Sequence, residues 1–137
     1  MPNPISTQDA LIYLMVTVSA VDTAMNDAEF ARIGRLVRFL PVFHGFDDER
    51  LVKVSRDCAD ILNGPEGLDI VLEVVKDAVP TRLYDTAYAL AVEVASADYK
   101  IRQEEIRILQ MLRDRLGLDK LTCAAIERGA IARFRQA

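Results

Sequence analysis

The chain reads as an all-α protein of about seven helices, a bundle with an internal two-fold pseudo-repeat in which helices one to three and five to seven are joined by helix four. Three observations point there. Apolar residues recur at helical spacing almost everywhere and no segment alternates with period two. Cap residues and helix breakers divide the sequence at regular intervals. A shift of 76 positions superimposes much of the first half on the second.

The elements follow in order. Ser6-Thr7-Gln8-Asp9 offers a cap for a first helix over about 6–21, and 22–25 is a short connection. Asn26-Asp27-Ala28-Glu29 has the spacing of a capping box. The second helix it opens carries Ile33, Leu36, Val37 and Leu40 on one face and stops before Pro41. A loop over 41–46 holds the only histidine, His44, and Gly45. Asp47 caps a third helix with Leu51, Val54, Cys58, Ile61 and Leu62 on its apolar side, and Asn63-Gly64-Pro65 ends it. A fourth helix over about 67–79 ends at Pro80, a fifth spans about 81–97, and a sixth spans about 102–116 with Gly117 terminating it. Asp119 starts a seventh that continues nearly to the end.

Under the 76-residue shift, Leu14, Val16, Val18, Asp22, Glu29, Leu36 and Leu40 land on Leu90, Val92, Val94, Asp98, Glu105, Leu112 and Leu116. Met25 meets Ile101, and Ile33 meets Leu109. Farther on, a shift of 72 aligns Gly45, Phe46 and Asp47 with Gly117, Leu118 and Asp119, the difference matching an insertion at 41–44. Any two amphipathic helices share Leu and Val, so the matched acids carry more weight. The expected organisation is one domain over 1–137, with repeat A at about 6–63, a linker helix at about 67–79 and repeat B at about 81–137.

At 137 residues the chain can bury a substantial core without disulfides or metals. With 51% hydrophobic and 28% charged residues it has a globular balance. A formal net charge of -4 speaks against a nucleic-acid binder, which needs a basic surface. Cys58 and Cys123 form no CxxC pair and both fall in helical patterns, as buried reduced thiols do. The first basic residue is Arg32, and Asp9 interrupts before the apolar run, so no signal peptide is expected. Neither apolar run, 10–21 or 87–97, reaches the roughly 20 residues of a membrane span. The expected location is the cytoplasm, with peripheral attachment to the inner membrane surface an open variant.

The repeated element is Asp-x-x-apolar-x-x-x-Glu: Asp22, Met25, Glu29, then Asp98, Ile101, Glu105. It lies where one helix gives way to the next. The apolar residue would plug the elbow and the carboxylates would flank the exposed turn. Two readings of the acids stand side by side. Glu29 at the third helical position is explained by reaching back to its cap, and an acid in a first turn favours the positive end of the helix dipole. If the two elbows meet, Asp22, Glu29, Asp98 and Glu105, with Glu104 nearby, would give a divalent cation such as Ca²⁺ the oxygens it prefers.

Glu93, whose repeat partner is Thr17, interrupts an apolar stretch, and a helix edge that lets it reach water is the simpler reading. His44 has no second ligand or nucleophile partner at useful spacing. Arg32, Arg35 and Arg38 share an outer helix face, and Arg128, Arg133 and Arg135 suit the negative end of the last helix. No phosphate loop, nucleophile elbow, HExxH helix or dinucleotide fingerprint occurs, so no enzyme is expected.

Val18-Ser19-Ala20-Val21-Asp22-Thr23-Ala24-Met25 through Glu29, and Val94-Ala95-Ser96-Ala97-Asp98-Tyr99-Lys100-Ile101 through Glu105, resemble the signature of the tellurite-resistance TerB family. Related domains are attached to membrane-anchored DnaJ-like co-chaperones. The resemblance covers most of the chain. It departs where the family commonly has glycine after the aspartate and this sequence has Thr23 and Tyr99. What it implies is a bacterial, non-enzymatic module of tellurite and stress resistance. Such a module binds a protein partner, with the elbow acids Asp22, Glu29, Asp98 and Glu105 as candidate ligands for Ca²⁺ or another divalent cation. The alternative is a structural adaptor, a helical protein-interaction domain with no metal site.

Overall fold

The structure is a computed structural model that describes residues 5–20, 25–97 and 103–137. Seven α-helices make up its regular structure: α1 (Thr7–Ser19), α2 (Asp27–Phe39), α3 (Leu51–Leu62), α4 (Gly67–Ala78), α5 (Tyr84–Ser96), α6 (Gln103–Leu116) and α7 (Lys120–Arg133). No strand occurs among the described residues. The all-α class with about seven helices is therefore observed, and none of the described helices is long and apolar enough to cross a membrane.

α1 is the axis of the bundle. Its residues from Ala10 to Val18 are all buried, because α3, α4 and α5 pack around it. A helix that is apolar on every side finds enough partners only in such a central position. Among them the Thr17 hydroxyl donates to the Tyr13 carbonyl at 2.8 Å, and the Cys58 thiol donates to the same oxygen at 3.4 Å. Both cysteines are buried and free. α5 is the second buried rod, packed on α1, α6 and α7. α4 lies against α1, α3 and α6 and closes the core with Val71, Leu72 and Val75.

Most helix ends follow local chemistry. Ser6 accepts from the Asp9 N–H, and Asp119 accepts from the Thr122 N–H. Gly117 sits at φ +65°, with Leu118 N–H donating to the Arg113 carbonyl and Gly117 N–H to that of Asp114. This paired return satisfies the last carbonyls of α6 and requires a residue that tolerates the left-handed region. At the α3–α4 corner Glu66 also turns left-handed, with φ 56°. A Cβ on the following Gly67 would stand 2.3 Å from the Ile61 carbonyl oxygen, so α4 can start this close to α3 only from a glycine.

Three stretches differ from the sequence expectation. The loop over 41–46 contains a 3₁₀ turn, Pro41–Phe43, held by Gln8 Nε2 donating to the Val42 and His44 carbonyls. Asp47 caps not α3 itself but a 3₁₀ turn, Asp48–Arg50, that feeds into it. The fifth helix likewise begins with a 3₁₀ turn, Thr81–Leu83, after Pro80 and becomes α-helical only at Tyr84. Tight 3₁₀ turns at helix starts obey the same apolar periodicity to within a residue, so the spacing does not separate them from the α-helix that follows.

Candidate functional site

The elbow carboxylates are accounted for unevenly. Asp22 and Asp98, with Ile101, lie outside the described residues. Met25 is partly buried against the core, as an elbow plug would be. Glu29 is engaged in a reciprocal capping box: its N–H donates to Asn26 Oδ1 at 2.8 Å, and the Asn26 N–H donates to Glu29 Oε1 at 3.1 Å. Glu105, in the first turn of α6, is buried with 8% of its surface exposed, and Glu104 beside it is exposed. Among the described residues no group of three or more His, Cys, Asp or Glu side chains is placed to hold a metal ion.

Other charged residues found partners that the sequence did not reveal. Glu93 does not simply reach water: its side chain is 16% exposed and receives both guanidinium nitrogens of Arg133, which joins α5 to α7. Arg133 is thus a cross-helix tie rather than only a charge for the end of α7. Arg38 pairs with Asp48 at 3.4 Å. Arg115, on α6, reaches the Asp69 carboxylate at 2.7 Å and Glu73 at 3.3 Å on α4. His44 is exposed in its turn.

Two of the concave features among the described residues are grooves at corresponding places along the chain. The first lies among α1, α2 and α3, with a volume of about 570 Å³, and is walled by Val16, Met25, Phe30, Val52, Ala59 and Leu62. Ser55 and Arg56 supply its polar groups together with Asn63. Ser55 is 7% exposed, and its Oγ has no hydrogen-bond partner among the described residues. The second lies among α5, α6 and α7, with a volume of about 280 Å³, and is lined by Tyr88, Val92, Leu109, Arg113, Glu127 and two half-exposed isoleucines, Ile106 and Ile131.

In the second groove three of the polar side chains, Tyr88, Glu127 and Arg113, meet one another, and Ser96 and Gln110 complete the polar lining. The Tyr88 hydroxyl donates to Glu127 Oε2, and Arg113 Nη1 approaches the same oxygen at 3.5 Å. Burial, followed by this bond to Glu127, pushes the Tyr88 phenol well above its ordinary value. In the same way burial raises the Cys58 thiol to about 11, which leaves it a packing residue and not a nucleophile.

Comparison of the chain with family models, with curated proteins and with solved structures returns no match.

Proposed function

We propose that this chain is a non-enzymatic helical binding module of the TerB type, which serves tellurite and stress resistance by docking a protein partner. The partner presents an amphipathic helix to the α5–α6–α7 groove. The observation that carries this reading is the pair Ile106 and Ile131, 43% and 48% exposed, flanking a groove whose buried polar groups are already paired. Such a rim has apolar area to offer over a phenol that is already hydrogen-bonded, which suits an apolar helix face laid into it. A partner at the inner membrane surface fits the resemblance to domains of membrane-anchored co-chaperones.

The cation half of the proposal rests on Asp22, Asp98 and Glu105, with Ca²⁺ the leading ion. The capping box at Glu29 favours the second reading, an adaptor without a metal site, because that carboxylate already has a structural task.

Complementation in the native host separates these readings. Wild-type protein is expected to restore tellurite survival to a deletion strain, and Ile106→Glu with Ile131→Glu to fail while its melting curve is retained. No tellurite phenotype in the deletion strain would end the resistance role. A thermal melt with millimolar Ca²⁺ on wild type and on Asp22→Asn with Asp98→Asn decides the ion. Ligand at 100 times its dissociation constant adds about 2.7 kcal/mol, and only the wild type should gain it.

A further inference from the structure

The first groove has the features that the second lacks. Its floor holds a hydroxyl, Ser55 Oγ, buried without a hydrogen-bond partner among the described residues. Arg56, the next residue, lines the same groove, is exposed and forms no ion pair among the described residues. Asn63 adds a third polar side chain, and the other walls are apolar: Val16 from α1, Met25 and Phe30 from the α2 side, and Leu62 from α3. Under the register shifts of 76 and 72 residues, Val16 and Phe30 fall on Val92 and Ile106, while Ser55 and Ala59 fall on Glu127 and Ile131. At the corresponding place, then, the second groove carries a carboxylate that satisfies Tyr88 and Arg113, and a larger side chain, Ile131, on the rim of a smaller space. The first keeps an alanine, an unmet donor and an unpaired cation.

We propose that the α1–α2–α3 groove binds a straight-chain fatty acid, with the tail between Val16, Met25, Phe30 and Leu62 and the carboxylate held by Arg56 and Ser55. The volume of about 570 Å³ falls within the range of small-ligand pockets, in which apolar walls carry the affinity and a few polar groups fix orientation. One guanidinium and one hydroxyl match the single charge and two oxygens of a carboxylate, and a doubly charged phosphate would leave one charge uncompensated. The Ser55 hydroxyl turns about χ1 to meet the acceptor, which removes the orphan donor of the free protein. A protein helix fits this groove less well than it fits the other, because Val52 is the one large aliphatic residue of its lining left half-exposed.

The test is an NMR titration of ¹⁵N-labelled full-length protein with sodium dodecanoate below its micellar concentration, with dodecyltrimethylammonium as the charge-reversed control. The expected result is saturable binding with shifts concentrated on α1 and α3 around Val16, Ser55 and Ala59, and weaker binding of the cationic control. Arg56→Gln should weaken dodecanoate at least about tenfold, the loss of one charge-assisted hydrogen bond. Ala59→Leu, which imitates the filled second groove, should block it. Both positions are exposed, so the variants keep the fold, and the wild-type comparison of the two amphiphiles needs no variant. Absence of saturable binding, equal affinity for the cationic amphiphile, or undiminished binding by Arg56→Gln would each overturn the assignment.

Discussion

The two grooves are built from helices in the same order along the chain, α1–α2–α3 and α5–α6–α7, yet one is satisfied and the other is not. Around Tyr88 a phenol, a carboxylate and a guanidinium close on one another, and the space between them shrinks to about 280 Å³. Around Ser55 the hydroxyl faces no partner and the space is about twice as large. Buried polar groups stabilise a fold only when paired, so the polar cluster under the second groove reads as architecture beneath its apolar rim, and the first groove holds back polar interactions that the fold itself does not use.

Substitutions sharpen that contrast in a definite order. Tyr88→Ala removes a fully buried ring and takes one donor from Glu127, which keeps Arg113 beside it; a loss of about 3–5 kcal/mol is expected in chemical denaturation, near the upper end for a single core truncation. Glu127→Ala keeps the ring but leaves its hydroxyl without an acceptor, with an expected loss of about 1–3 kcal/mol.

The pH dependence should follow the same groove. The Tyr88 phenol is raised in the folded state, so its contribution is fully present below the ordinary tyrosine value near pH 10 and is lost as pH rises beyond it. Melting midpoints followed from pH 9 to 11 should fall less steeply in Tyr88→Phe than in wild type. Tyr13 and the buried thiols of Cys58 and Cys123, all raised as well, supply the slope that remains. The smallest effect belongs to the first groove. Ser55→Ala deletes an unpartnered hydroxyl and should change stability by less than about 0.5 kcal/mol, in either direction. A loss comparable to that of Glu127→Ala would show that Ser55 has a structural partner after all and would erase the distinction between the grooves.

Much of the fold was legible in the sequence because it is written in local chemistry. Ser6, Asn26, Asp119 and Gly117 mark helix ends through bonds to residues three to five positions away. The 3₁₀ turns before α3 and α5 were not legible, since their apolar spacing matches that of the helices they precede. The pairing of Glu93 with Arg133 was hidden for a different reason: its partners lie 40 positions apart and meet only when α7 packs on α5. The grooves were equally hidden, though the register that set Ser55 against Glu127 and Ala59 against Ile131 already held the signal. Of the four elbow acids, Glu29 was legible as a capping residue from its three-residue spacing to Asn26.

The central position of α1 also bears on how the chain is made. Its burial depends on α5, whose last residue, Ser96, follows the last residue of α1, Ser19, by most of the length of the chain. At roughly 5–20 residues per second on the ribosome, a helix apolar on every face waits on the order of 4–15 s before its final neighbour has been synthesised. Through that interval α2, α3 and α4 shelter only part of it, so the nascent chain presents an aggregation-prone segment early and conceals it late. Dependence on a holding chaperone during synthesis, and poor recovery of fragments that end before α5, follow from the same geometry.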